Sequence, residues 1–256
     1  MIRAASLDDL AVIAAIGEAC GVEPTESAQD EPYVRHLLAV GQVVVDEAGT
    51  GFAATVDVGG VTMLCDLFVR PEARSRGLGD QLLRGLFDGP RMTFSSQDPR
   101  ALALYLRHGM TPRWPLLYLS GPAVAIDGPF EVVPVTADQA AIADETITSI
   151  SREATYAYWS TRPGAGCFIV RDAGTTVGAG CRGEGVLIHL AAAASAPSVL
   201  MSALAALSGR LSLCVPGSHA TALVAAGFRI DDFDVFFTSG PDPLDHGLVV
   251  MSPGLV

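Results

Sequence analysis

The chain has 256 residues, a formal net charge of −12, 50% hydrophobic residues and only 17% charged ones. This suits one large or two ordinary globular domains and excludes a disordered or collagen-like chain. All sixteen basic residues are arginine, and lysine and asparagine are absent. Lysine-dependent chemistry is therefore excluded, both in phosphate-loop NTPases and in pyridoxal-phosphate or Schiff-base enzymes, as is N-glycosylation. A GC-rich bacterial genome, poor in codons that begin AA, explains both absences.

In chain order, Ser6-Leu7-Asp8-Asp9 reads as an N-cap with an acidic first turn, and Leu10, Ile13 and Ile16 mark one face of the helix that follows. A second helix carries Tyr33, Leu37 and Leu38. Strands are expected over 42–46, 51–58 and 61–69, with hairpin turns at Glu47-Ala48-Gly49-Thr50 and Gly59-Gly60. A helix over 80–87, a strand over 92–95, a helix over 99–108 and a strand over 115–119 complete the first half.

The second half repeats this plan. Phe168 to Thr175 matches Val43 to Thr50 at an offset of 125, and Val186 stands at the same offset from Val61. Later, Ala222-x4-Gly227-Phe228 matches Leu104-x4-Gly109-Met110 at 118, so about seven residues are lost in between. The loss falls where the first half carries Pro71 to Gly77. The run 186–209 holds no charged residue, but Pro197, His189 and many Ala and Ser residues point to a short buried strand and a buried helix rather than a membrane span.

The five cysteines, Cys20, Cys65, Cys167, Cys181 and Cys214, are odd in number and form no C-x-x-C pair. Reduced thiols in the cytosol are expected, with no disulfide framework and no metal site. The first residues lack the basic-then-apolar pattern of a secretory signal, which fits a cytoplasmic protein without membrane attachment. His36, His108, His189, His219 and His246 have no motif around them and read as packing or surface residues.

One segment carries chemistry. Val69-Arg70-Pro71-Glu72-Ala73-Arg74-Ser75-Arg76-Gly77-Leu78-Gly79-Asp80 joins a predicted strand to a predicted helix. Such a loop offers unpaired backbone N–H groups and the positive end of a helix dipole to a phosphate. Gly77 and Gly79 allow close approach, and Arg70, Arg74 and Arg76 gather positive charge in an acidic chain, so an anionic ligand is expected. Leu82 excludes the dinucleotide-binding fingerprint, and the lack of lysine excludes a Walker A loop.

Val69-x-Pro71-x-x-Arg74-x-x-Gly77-x-Gly79 resembles the acetyl-CoA pyrophosphate motif of the GNAT (N-acetyltransferase) superfamily. Asp98-x-x-Ala101-x-x-x-Tyr105-x-x-x-Gly109-Met110 is similar to that family's later N-x-x-A-x-x-x-Y-x-x-x-G-F stretch. Asp98 replaces the usual Asn, in keeping with a chain that has none. The resemblance implies an α/β (α+β) chain of two tandem GNAT-like domains, each a mixed, mostly antiparallel sheet flanked by helices. The first, 1–122, would carry the acetyl-CoA site; a linker would span 123–129; and 130–256 would be a degenerate, non-catalytic copy.

The same resemblance implies site roles. Pantetheine would pair with the strand backbone near Leu67, Phe68 and Val69, where that strand splays from the next. Arg74, Ser75, Arg76, Gly77, Leu78, Gly79 and Asp80 would hold the pyrophosphate, with Asp98 and Ala101 also on the cofactor. Tyr105 would act as general acid to the departing CoA thiolate. Asp66 is the candidate base, with Asp46, Glu47 and Asp57 as alternatives that also read as hairpin or solvent-facing charges; Cys65 as an acyl-carrying nucleophile is disfavoured. In the second half the Arg/Gly loop is missing and Leu223 stands where the tyrosine would fall, so that half is expected to bind no CoA. It would instead complete a sheet or wall an acceptor pocket.

The function implied is direct acyl transfer, most simply acetyl from acetyl-CoA, to a small-molecule or peptide amine in a ternary complex. The acidic balance suits a cationic acceptor and disfavours nucleic acid, and a homodimer is compatible with the sequence. Two other classes stay open: a non-catalytic acyl-CoA sensor and a purely structural protein.

Overall fold

A computed structural model describes residues 1–24, 26–122, 128–193, 195–244 and 247–256. The first strand, β1 (Ile2–Ala4), pairs antiparallel with β2 (Gly41–Asp46). Between them the Ser6 cap forms as expected: the Asp9 carboxylate accepts the Ser6 backbone N–H at 2.9 Å and starts a 3₁₀ turn that runs into α1 (Leu10–Ala19). Arg3 forks onto Asp9 at 2.6 and 2.8 Å and holds that carboxyl well below its ordinary range. Helix α2 (Glu31–Val40) buries Tyr33, Val34, His36 and Leu37.

The hairpins follow the predicted turns. β2, β3 (Gly51–Val58) and β4 (Val61–Val69) pair antiparallel in sequence order. Thr50 donates to the Asp46 carboxylate at 2.7 Å in one turn, and the Gly60 N–H donates to Asp57 at 3.1 Å in the other. β3 touches α1 and α2 as well as α3 (Leu78–Arg84), and Gly51 to Thr55 are buried without a break, as a strand covered on both faces must be. Helix α3 starts at Leu78, two residues before the expected position, because Gly77 at φ +81° sets the left-handed turn from which it springs. β5 (Arg91–Ser95) runs parallel to β4, and α4 (Pro99–Arg107) follows, capped by Asp98, whose carboxylate accepts the Arg100 N–H at 2.8 Å.

The long strand β6 (Thr111–Pro122) outruns its predicted span because it is laddered to a distant strand of the second half. The second half repeats the order: β7 (Glu131–Val135), α5 (Ala137–Thr148), α6 (Glu153–Trp159), β8 (Gly166–Asp172), β9 (Thr175–Gly183), β10 (Val186–Ala192) and α7 (Ala196–Ala205). Then come β11 (Arg210–Pro216), α8 (Ala220–Ala225), β12 (Arg229–Thr238) and a strand with no counterpart in the first half, β13 (Leu248–Val250). β7 to β10 are antiparallel in sequence order, β10 meets β11 in parallel at Val186 and Ser212, and β11 pairs antiparallel with β6. Thr136 and Gln139 form a reciprocal cap on α5, echoing Ser6 and Asp9 on the first helix.

The chain forms two compact units: Met1–Pro112 with Phe237–Pro241, and Arg113–Phe236 with Asp242–Val256. Each holds a mixed, mostly antiparallel sheet flanked by helices. β6 belongs to the second unit from Arg113 onward because its register with β11 runs from Leu116 to Pro122. Of the linker expected over 123–129, residues 123–127 lie outside the described residues, as does His246. Among the described residues no helix is long and apolar enough to cross a membrane; the uncharged run resolves into β10 and α7.

The second unit's core surrounds a fully buried polar cluster. Asp144 on α5 accepts from Arg152 at 2.7 Å, from the Tyr156 hydroxyl at 3.0 Å and from His189 Nε2, while the Trp159 ring stacks on His189 at 5.0 Å. Burial pushes His189 down against the pull of the Asp144 carboxylate; burial alone would lift the Asp144 carboxyl, but His189 and Arg152 hold it at about 2. Since this lies below the ordinary carboxyl value of about 4, its contribution to stability is present above pH ~4 and lost as pH falls toward the folded value. Asp144→Ala leaves Arg152 buried and unpaired, so urea unfolding should show a loss of about 3–5 kcal/mol. The variant should also lose less further stability than the parent below pH ~4.

Candidate active site

β4 and β5 are joined only over Thr62–Leu64 and Arg91–Thr93. The register between β3 and β4 slips next to this point, so that Leu64 faces Thr55, Asp66 faces Ala54 and Cys65 is the extra residue. A bulge of this kind bends its strand and ends local pairing. From Cys65 to Val69 the strand therefore keeps β3 on one side and leaves β5 on the other. The Arg70 N–H donates to Thr50 on the β3 side, and strand alternation then turns the polar groups of Leu67 and Val69 toward the open side. Val69's carbonyl is already engaged, accepting from Arg74 Nε at 2.9 Å and the Cys20 thiol at 3.4 Å. The Leu67 N–H and C=O are left facing the gap.

That gap opens into a cleft of about 560 Å³. Leu67, Phe68 and Val69 form one wall. Arg74 and Ser75 form the turn, with Ser75 at φ +61° and Gly77 at +81°. Gly77 lines the cleft with Leu78, Gly79 and Asp80 from the first turn of α3, and α4 contributes Ala101 with its cap Asp98. A Cβ on Gly79 would come within 3.3 Å of the Leu104 side chain, so glycine keeps this floor open. Asp80 pairs with Arg84 at 2.5 Å and lies within hydrogen-bond distance, 3.1 Å, of His108 Nε2.

Three expected site residues stand elsewhere. Arg76 is exposed and outside the cleft lining, and Arg70, half-buried, is outside it too. The positive charge instead comes from Arg74 together with Arg100 and Arg107 on one face of α4. Their spacing of seven along a helix was the available signal. Arg100 is paired with Asp98 at 2.6 Å, and this pairing holds the Asp98 carboxyl below its ordinary range. Tyr105 is also outside the lining; it is 6% exposed, its ring 5.8 Å from that of Phe237.

Asp66 is the third. It lies under the 3₁₀ turn before α2, accepting from the Ser27 hydroxyl at 2.6 Å, with Tyr33 as a further partner. Burial raises its carboxyl above the ordinary value, and the two hydroxyls offset part of that rise. Burial and the neighbouring Asp66 push the Cys65 thiol well up, which disfavours a thiolate nucleophile. Asp46 and Asp57 are occupied in their hairpin turns. Among the described residues no group of His, Cys, Asp or Glu side chains could hold a metal ion.

In the second unit the position of Tyr105 is taken by Leu223, fully buried in the core. Cys167 and Cys181, far apart in any linear motif, are cross-strand partners with sulfurs 3.5 Å apart.

No family profile matches the sequence, and no curated protein does. Solved structures do. A candidate acetyltransferase from Pyrococcus horikoshii is 14% identical with a TM-score of 0.77, the match covering 100% of this chain and 95% of that one. A GCN5-related N-acetyltransferase from Sphaerobacter thermophilus is 19% identical, with a TM-score of 0.59 and coverage of 93% and 94%. A tandem GNAT protein from the clavulanic acid biosynthesis pathway is 16% identical, with a TM-score of 0.58 and coverage of 94% and 99%. The fold of this chain is that of the GCN5-related N-acetyltransferases.

The Asp66 environment is testable by itself. Its carboxyl should titrate above the usual Asp range in a carbon-detected NMR titration, and Ser27→Ala, which removes a bond favouring the ionised form, should raise the midpoint further.

Proposed function

We propose that the first unit is an acyl-CoA-dependent N-acyltransferase that passes an acetyl group directly to an amine. The observation that carries this reading is the parting of β4 from β5 beside a cleft floored by the Arg74–Asp80 turn and helix. The open Leu67 edge suits the amide-bearing pantetheine arm, and the backbone N–H groups of the turn, with Arg74, Arg100 and Arg107 near, suit the pyrophosphate. Cleft size agrees with a bound ligand of this class.

On this reading Asp66, its carboxyl raised by burial, receives the proton that an ammonium acceptor must lose, through water where direct contact is lacking. The free amine attacks the thioester carbonyl, the C–N bond forms and the C–S bond breaks, and the Tyr105 hydroxyl gives its proton to the thiolate. The acceptor is a small-molecule or peptide amine, favoured as a cation by the net charge of −12. The burial of Tyr105 behind the cleft lining favours a second reading, in which the unit binds acyl-CoA without turning it over.

Tyr105→Phe separates the two. In a transferase, free-thiol release across an amine panel should fall by about 10²–10⁴ while acetyl-CoA affinity holds. In a binder, neither calorimetric affinity nor response changes. Transfer by the parent should decline as pH falls through the raised Asp66 value, and Asp66→Asn should abolish that limb. Gly77→Val with Gly79→Leu should weaken acetyl-CoA binding at least ~10-fold with circular dichroism unchanged; retained stoichiometric binding would remove the site from this cleft.

A further inference from the structure

The two units share one plan until the last strand. In the first, the gap beyond Leu64 is open. In the second, β10 and β11 likewise pair in parallel at one end, at Val186 and Ser212, and then give way to other partners. There the gap is filled. β13 pairs antiparallel with β10 through Leu190–Val250 and Ala191–Leu248, and the Ala192 N–H donates to the Gly247 carbonyl at 2.7 Å. On the opposite side the Met251 N–H donates to the Cys214 carbonyl of β11 at 3.1 Å. One segment thus satisfies both lips of the gap.

The fit extends to side chains. Leu248, Val249, Val250 and Met251 are all buried, and Val249 and Val250 belong to the second unit's core cluster. Gly247 makes the entry turn at φ +84°, where a Cβ would stand 2.7 Å from the Ala192 carbonyl, so the turn into the gap requires glycine.

We propose that the gap between β10 and β11 is a binding slot for an extended peptide, and that Gly247–Met251 is its resident ligand. The segment adds a strand to two diverging edges, the β-augmentation mode of peptide recognition, here satisfied within the chain. A peptide strand and a pantetheine arm present similar amides to a strand edge. With the segment in place, the second unit excludes an acyl-CoA by occupation as well as by its missing turn. This consequence, and only this, rests on the function proposed for the first unit.

The test uses the whole chain. In native-state hydrogen exchange the Ala192 and Met251 amides should be protected together, and calorimetry with acetyl-CoA should give one equivalent per chain. Gly247→Val should speed exchange at these two amides by about tenfold or more, without change in β2–β4. A synthetic peptide of residues 247–252 added to the variant should restore the protection. Unprotected Met251 in the parent, two equivalents of acetyl-CoA, or a variant that folds but ignores the peptide would each overturn the proposal. Should Gly247→Val not fold, the parent's exchange pattern decides alone. A parent that binds no acetyl-CoA but shows the protection and the peptide effect counts against the transferase reading and supports the slot.

Discussion

Two strands that separate after three residue pairs govern the first unit. Inside a sheet each backbone N–H and C=O needs a partner, and β4 loses those partners on one side once the register slips at Cys65. The unit does not repair this by lengthening β5 or moving a neighbour inward. It leaves a cleft at that point, and the turn with two left-handed residues, the short helix after it and the face of α4 are arranged around the opening. A single inserted residue creates the vacancy, and the flanking elements give it an electrostatic character.

That character does not follow from the local sequence cluster. Three arginines within seven positions suggest a basic patch, yet Arg70 and Arg76 do not line the cleft and Arg74 is held by the Val69 carbonyl. The helix opposite supplies the other two cleft arginines, one of them shared with the carboxylate that caps it. In a chain with this excess of acids, arginines that line a cleft keep it from becoming strongly negative, while the turn's own N–H groups offer binding that needs no side chain. Asp98, in the place of an asparagine, is absorbed as a helix cap and an ion-pair partner.

Most elements were legible because their punctuation is local. Gly59-Gly60 and Ala48-Gly49 set the hairpins, Ser6 and Asp9 set the first helix, and the offset of 125 between halves pointed to a repeated order. Features depending on residues far apart in the chain were not legible. Leu248–Met251 is too short to show a period and lies after the repeat has ended. The Cys167–Cys181 neighbourhood follows from a register between strands, and the Asp144 cluster draws on α5, α6 and β10 at once. Arg100 and Arg107 carry a helical spacing but no motif. The chemistry of the Gly-rich turn could be read from its own residues, whereas Asp66's burial under Ser27 could not.

The division of the chain also has a kinetic side. The first unit includes Phe237–Pro241, more than a hundred residues after Pro112, and the second includes Leu248–Met251 in its core. Contacts over such separations must close long loops before they contribute stability, which slows folding and prolongs exposure of incomplete sheets. Neither unit can be finished as its own half is synthesised; the first waits for Phe237–Pro241 and the second for Leu248–Val250. Until β13 arrives, the β10 edge that it covers has no partner there, and such an edge is open to pairing with another chain.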